Sequence, residues 1–168
     1  ESIRSNRWLA LFGDTLLHPR LWHLNRHSAA GGVAVGLFCG LIPGPLQMLG
    51  AAILSVILRV NLPLALFTTL YTNPLTIVPL YFVAYQIGRL VLPGPHAPFV
   101  APPDWADQGL SVWVGQIVDW MAGLGKPLAL GLGVLASTLA VLGYVAVRAA
   151  WRLYLIRAWR RRSLRRRH

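Results

Sequence analysis

The sequence predicts an all-α integral membrane protein of short, broken helices, and three observations lead there. The composition is the first: mean hydropathy is +0.54, 55% of the 168 residues are apolar and only 12% are charged, outside ordinary soluble usage. The second is three stretches without Asp, Glu, Lys or Arg, at 28–58, 60–88 and 127–147. A hydrocarbon core of roughly 30 Å needs about 20 apolar helical residues, so each stretch is long enough to cross. The third is the set of interruptions. The first two stretches would make helices of about 45 Å at 1.5 Å per residue, too long for one upright crossing and too short for two. Each must bend, break or re-enter, and Pro43-Gly44-Pro45, Asn61-Leu62-Pro63 and Asn73-Pro74 are where a helix would break.

Residues 1–27 mix Trp8, Leu9, Phe12, Leu16, Leu21 and Trp22 with arginine and histidine, which suits an amphipathic segment lying on the cytoplasmic surface and broken at Pro19. No continuous apolar leader is visible there, so the first apolar stretch is expected to act as the targeting signal. His23 and His27, four apart, lack a third ligand nearby and read as interfacial polar residues; no metal is expected. Residues 28–92 form the expected membrane core, in pieces at 28–42, 45–59, 63–72 and 74–92. Proline is favoured at the first helical position, and glycine or asparagine before it makes a good cap, so Gly44-Pro45 and Asn73-Pro74 read as helix starts. Pro45 leads to Arg59 and Pro74 to Arg89 at nearly the same spacing, a proline-interrupted pseudo-repeat of about 29 residues. Weak symmetry with broken helices is the usual sign of a transporter-type core.

Residues 93–125 hold a proline-rich loop and then Trp105, Trp113 and Trp120, consistent with an external interfacial helix. A transmembrane helix is expected at 126–150, with Gly131, Gly133, Ala136, Ala140 and Gly143 supplying a small-residue packing face. Residues 151–168 are an arginine-rich tail. Nine of sixteen basic residues fall in the last twenty-one positions, which by the positive-inside rule puts both termini in the cytoplasm of a bacterial inner membrane. Parity then favours a re-entrant hairpin over 28–59 and a broken crossing over 63–92.

The run 29–92, with GGVAVGLFCGLIPGPLQ, then LRVNLPLALFTTLYTNPLT, then PLYFVAYQIG, resembles the bacterial membrane proteins of the domain-of-unknown-function 2062 family. The resemblance implies a membrane domain and carries no activity with it. In its broken helices the core is also similar in style to lipid-scrambling proteins of the DedA type, whose acidic core residues have no counterpart between Ser28 and Pro103.

Polar groups inside the apolar stretches are the candidate site residues, because burying them in lipid is costly. Gly44, Gln47, Thr72, Asn73 and Thr76 sit at the breaks and are expected to bind substrate or an anion beside two helix N-termini. Arg59 and Arg89 have no acid near them in sequence; they either snorkel to opposite interfaces or bind lipid phosphate. Arg148, Arg152, Arg157, Arg160, Arg161 and Arg162 are expected to face an anionic membrane surface rather than nucleic acid. Cys39 is the one cysteine and reads as a small buried hydrophobe. The apolar stretches hold no carboxylate and no histidine other than what flanks them, so catalysis and a cofactor are not expected. Two functions follow: a transporter or lipid-moving core that recognises anionic headgroups, or a non-transporting accessory subunit of a larger membrane assembly. At this chain length a homo-oligomer is a natural partner in either case.

Overall fold

The computed structural model describes residues 19–44, 46–73, 75–95, 98–103 and 109–165, and at 19, 20, 110 and 158–165 the backbone alone. The expected interfacial segment before residue 19, the helix-starting Pro45 and Pro74, and the loop acids Asp104 and Asp107 lie outside the described residues, as do the side chains of Arg160, Arg161 and Arg162. Among the described residues the structure is helical, with no strand: α1 (Pro19–Trp22), α2 (Arg26–Cys39), α3 (Leu46–Leu58), α4 (Leu62–Thr69), α5 (Ile77–Val91) and α6 (Leu110–Arg165).

Local chemistry sets most of these ends. Asn25 caps α2, its Oδ1 accepting from the amides of His27 and Ser28, so the helix begins at Arg26. Asn61 does the same for α4, accepting from Leu64, with a proline in the first turn. α5 begins at Ile77, because Asn73 and Thr76 are first used in a capped turn: Asn73 Oδ1 accepts from Leu75 and Thr76, and the Asn73 amide donates to Thr76 Oγ1. α3 ends at Arg59, a non-glycine residue at φ 53. That left-handed conformation costs an arginine about 1 kcal/mol more than it would a glycine.

α6 is broken at Gly125, where φ 63 and ψ −153 interrupt the helix just before Pro127. Two arms result, and the first returns along the second. Trp120 and Met121 of the first arm pack with Leu128 and Leu132 of the second, and Trp120 stacks on Tyr81 with ring centroids 5.7 Å apart. The first arm reaches as far as the α2–α3 turn, where Trp113 lies over Gly44. Residues 110–124, expected to form an outer interfacial helix, are thus packed against the core. The second arm continues as helix through the basic tail to Arg165. One described helix, Ser111–Arg157, is long and apolar enough to cross a membrane, and the break assigns that capacity to its second arm.

Glycines determine how closely the helices approach. A Cβ at Gly88 would strike the Pro127 carbonyl, and one at Gly131 would strike the Ala84 carbonyl, so α5 and the second arm cross backbone to backbone. α2 meets α4 in the same manner: a Cβ at Gly32 would come 2.6 Å from the Asn61 carbonyl, and one at Gly36 would meet Ala65 and Thr68. These pairings also give direction. α4 runs parallel to α2, whereas α5 and the second arm are antiparallel.

Gly131→Ala is therefore expected to cost about 2 kcal/mol or more through overpacking against the α5 backbone. Gly133→Ala, where nothing lies within 4 Å, should be neutral or slightly stabilising. Thermal unfolding of the two detergent-solubilised variants checks the contrast.

Candidate functional site

α2 stops at Cys39, inside the molecule, and carbonyls in its last turn and just beyond it, at Leu37, Gly40 and Leu41, need donors. Three hydroxyls from the chain after α4 supply them. Tyr71 Oη donates to the Leu37 carbonyl at 2.8 Å, Thr72 Oγ1 to Gly40 at 2.6 Å, and Tyr81 Oη to Leu41 at 2.7 Å. Thr72 and Tyr81 are buried, and the Tyr71 ring lies on the face that Gly40 leaves open. Thr72 Oγ1 is also 2.7 Å from Gln47 Oε1 and 3.0 Å from the Thr69 carbonyl. A hydroxyl has one proton for these three acceptors. With the Gln47 amide turned so that its NH2 faces Thr72, the glutamine donates and the Thr72 proton serves Gly40.

The residues expected at the breaks are brought together in two pairs. Gln47 joins Thr72 at the end of α2, while Asn73 and Thr76 bond to each other, with Thr76 Oγ1 donating to the Tyr71 carbonyl at 2.7 Å. Thr72 is buried, Gln47 and Thr76 are half-buried, and Asn73 is exposed. Gly44 holds the α2–α3 turn at φ 64 beneath Trp113. Beside that turn runs an apolar groove of about 410 Å³, lined by Phe38, Leu41, Ile42, Ile117, Leu132 and Ala136 among others. Tyr71 and Tyr81 are the site residues that sequence reasoning passed over. The signal for Tyr71 was the hydroxyl-rich stretch TTLYTN at 68–73; Tyr81 lies eight residues beyond it and had no such signal. Other hydroxyls bond back along their own helices, Thr68 to Leu64, Thr69 to Leu66, Ser137 to Gly133 and Thr138 to Val134, whereas the buried Ser55 Oγ has no partner among the described residues.

Arg59 and Arg89 occupy opposite ends. Arg59 lines a cleft of about 600 Å³ with Asn25, His27, Ser28 and Tyr144. Arg89 lines one of about 450 Å³ with Gln86 and Leu92, and its Nη1 is 3.5 Å from Gln86 Oε1. Gly88, beside Arg89, meets the second arm at Pro127, whereas the Arg59 cleft meets it at Tyr144. Those two positions are separated by about 26 Å of helix at roughly 1.5 Å per residue. Among the described residues neither cleft is lined by a carboxylate, and Asp119 is the sole acid. Past Tyr144, Arg148, Arg152 and Arg157 are exposed along the second arm.

A family model described as an uncharacterized protein conserved in bacteria, the domain-of-unknown-function 2062, matches residues 9–160. No curated protein and no solved structure matches the chain.

Removing the hydroxyl from Tyr81 leaves the Leu41 carbonyl buried without a donor. Tyr81→Phe should cost about 1–3 kcal/mol, and Thr72→Val a similar amount through Gly40. Leu64 keeps its helical surroundings when Thr68→Val removes a back-bonded hydroxyl, so that variant should change little. Comparing the three melting temperatures tests the assignment.

Proposed function

The chain belongs to the domain-of-unknown-function 2062 family, and from that premise we propose that this member handles phospholipid in the bacterial inner membrane, engaging anionic headgroups at both ends of a core of half-helices. The observation that carries the reading is the placement of Arg59 and Arg89. Two exposed arginines, without a carboxylate partner among the described residues, line clefts that meet one apolar helix about 26 Å apart, close to the roughly 30 Å of a hydrocarbon core. At those depths a guanidinium meets lipid phosphate.

In this reading α2 and α3 are a re-entrant hairpin. The start of α2 and the end of α3 share the cleft at Tyr144, while the tip at Gly44 lies in the interior. α4 and α5 make one broken crossing and the second arm of α6 another, so both termini lie on the cytoplasmic side by the positive-inside rule. Arg148, Arg152, Arg157, Arg160, Arg161 and Arg162 then rest on that anionic surface. The exposed apolar residues of α3 and α5 face acyl chains or a second copy. Passage past the break requires Thr72 to release Gly40 or Gln47, because those hydrogen bonds close it. Gln47, Thr72, Asn73 and Thr76 are in that sense the gate of the proposed path.

A second reading, a non-transporting subunit of a larger assembly, is favoured by one observation: the break is filled by hydroxyls and by the Tyr71 ring. Reconstitution separates the two. Vesicles carrying fluorescent phosphatidylglycerol in both leaflets, quenched from outside, should lose more than half of their signal when they hold the protein. Arg59→Gln and Arg89→Gln should each slow that exchange severalfold. In a Cys39→Ser background, cysteines at Gln47 and Thr72 should react with an impermeant thiol reagent. Signal loss stopping at half, together with complete protection of both cysteines, supports the subunit reading instead.

A further inference from the structure

The cleft at Arg59 draws polar side chains from three separate elements, and its charge comes from arginines. Arg59 comes from the end of α3, His27 from the first turn of α2, and Tyr144 from the second arm of α6. Two further arginines stand behind these. Arg26 donates through Nε to His27 Nε2 at 3.3 Å, and Arg148 lies with Cζ 5.6 Å from the Tyr144 ring centroid, its Nη1 3.4 Å from the hydroxyl. The described residues place no acid in the cleft to offset this charge. The amides of His27 and Ser28 are already held by Asn25 Oδ1 at 3.0 and 2.8 Å, so anything bound here is held by side chains.

The backbone at Arg59 bears on the same point. At φ 53 the residue sits where glycine is the conformationally easy choice after a helix. A turn alone does not account for an arginine at that position, whereas a guanidinium needed in the cleft does.

We infer that this cleft is a binding site for a phosphate group of net negative charge, contributed by an anionic phospholipid of the leaflet in which the arginine-rich end of α6 lies. Guanidinium groups pair with phosphate oxygens in a fixed fork, and Arg59 and Arg148 both reach this end. The lipid source follows from what adjoins the cleft. Ile57 and Leu58, 66% and 58% exposed, immediately precede Arg59, and Leu49 and Ile53 continue the exposed apolar stripe up α3. A phosphate in the cleft has its acyl chains against that stripe; a free phosphate makes no use of it. The inference takes the membrane setting from the lipid-handling reading and adds three residues to it: Arg26, Tyr144 and Arg148.

The full chain in phosphatidylcholine nanodiscs, doped with spin-labelled phosphatidylglycerol or spin-labelled phosphatidylcholine, provides the test. The wild type should immobilise the anionic label with a preference of about fivefold or more, the equivalent of ~1 kcal/mol for one arginine near an anionic surface. Arg59→Gln and Arg59→Gly should both bring the preference close to one. Arg59→Gly should also keep or raise the melting temperature, since glycine adopts φ 53 freely, so its loss of preference is not a folding defect. An unchanged preference in folded Arg59→Gly overturns the site. Millimolar inorganic phosphate that binds the wild type in detergent, where the nanodiscs show no lipid preference, overturns the lipid source. The preference and the exchange assay can fail separately. A wild type that shows the preference but moves no lipid supports the cleft and removes the lipid-moving reading, and one that moves lipid without the preference does the reverse.

Discussion

A helix that ends away from water leaves carbonyls that must find donors, and in this protein that requirement organises the centre. α2 ends at Cys39, and the donors come from Tyr71, Thr72 and Tyr81, which follow in the chain only after a further helical hairpin has been built. In a low-dielectric interior each such bond matters chiefly because leaving its acceptor empty is expensive. The three hydroxyls thereby tie the turn after α4 and the first turns of α5 to the end of α2. They also set the height at which α4 gives way to α5, because Tyr71 and Tyr81 flank that break.

Glycine makes the geometry attainable. α2 packs on α4 through Gly32 and Gly36, and α5 on the second arm of α6 through Gly88 and Gly131, in each case with backbone near backbone. Where lipid surrounds a protein, apolar side chains gain little by leaving it for one another, so close van der Waals contact becomes the main source of helix association. The two glycine-lined crossings flank the hydroxyl cluster on either side. Larger residues there would move Tyr81 away from Leu41 as surely as deleting its hydroxyl. Packing and polar satisfaction are one constraint at this centre.

Charge is excluded from that centre and collects at its ends. Arg89 lies beside the crossing at Pro127, and Arg59 shares a cleft with Tyr144 just before the basic run begins at Arg148. With no carboxylate among the described residues of either cleft, these cations are satisfied by water, by polar neighbours such as Gln86, or by anions from outside. The asymmetry between the ends is plain. One holds a single arginine, whereas the other draws on α2, α3 and α6 together.

The sequence by itself determined the helical class, the presence of a segment able to cross a membrane, the family, and the neighbourhoods where helices break. Those are local matters: apolar length, the missing amide of proline, and the ability of Asn25, Asn61 and Asn73 to cap the turns beside them. Tertiary structure decided which groups meet. Gln47 and Thr72 were visible as polar residues near breaks, but their pairing spans 25 residues, and the bonds from Tyr71 and Tyr81 to α2 span 34 and 40. The return of the first arm of α6 was equally hidden. Gly125-Lys126-Pro127 announces a break without a direction, and the direction comes from Trp120 stacking on Tyr81 and Trp113 covering Gly44. A backbone break is written in two or three adjacent residues. What closes it depends on groups far along the chain whose positions are known only once every helix has packed.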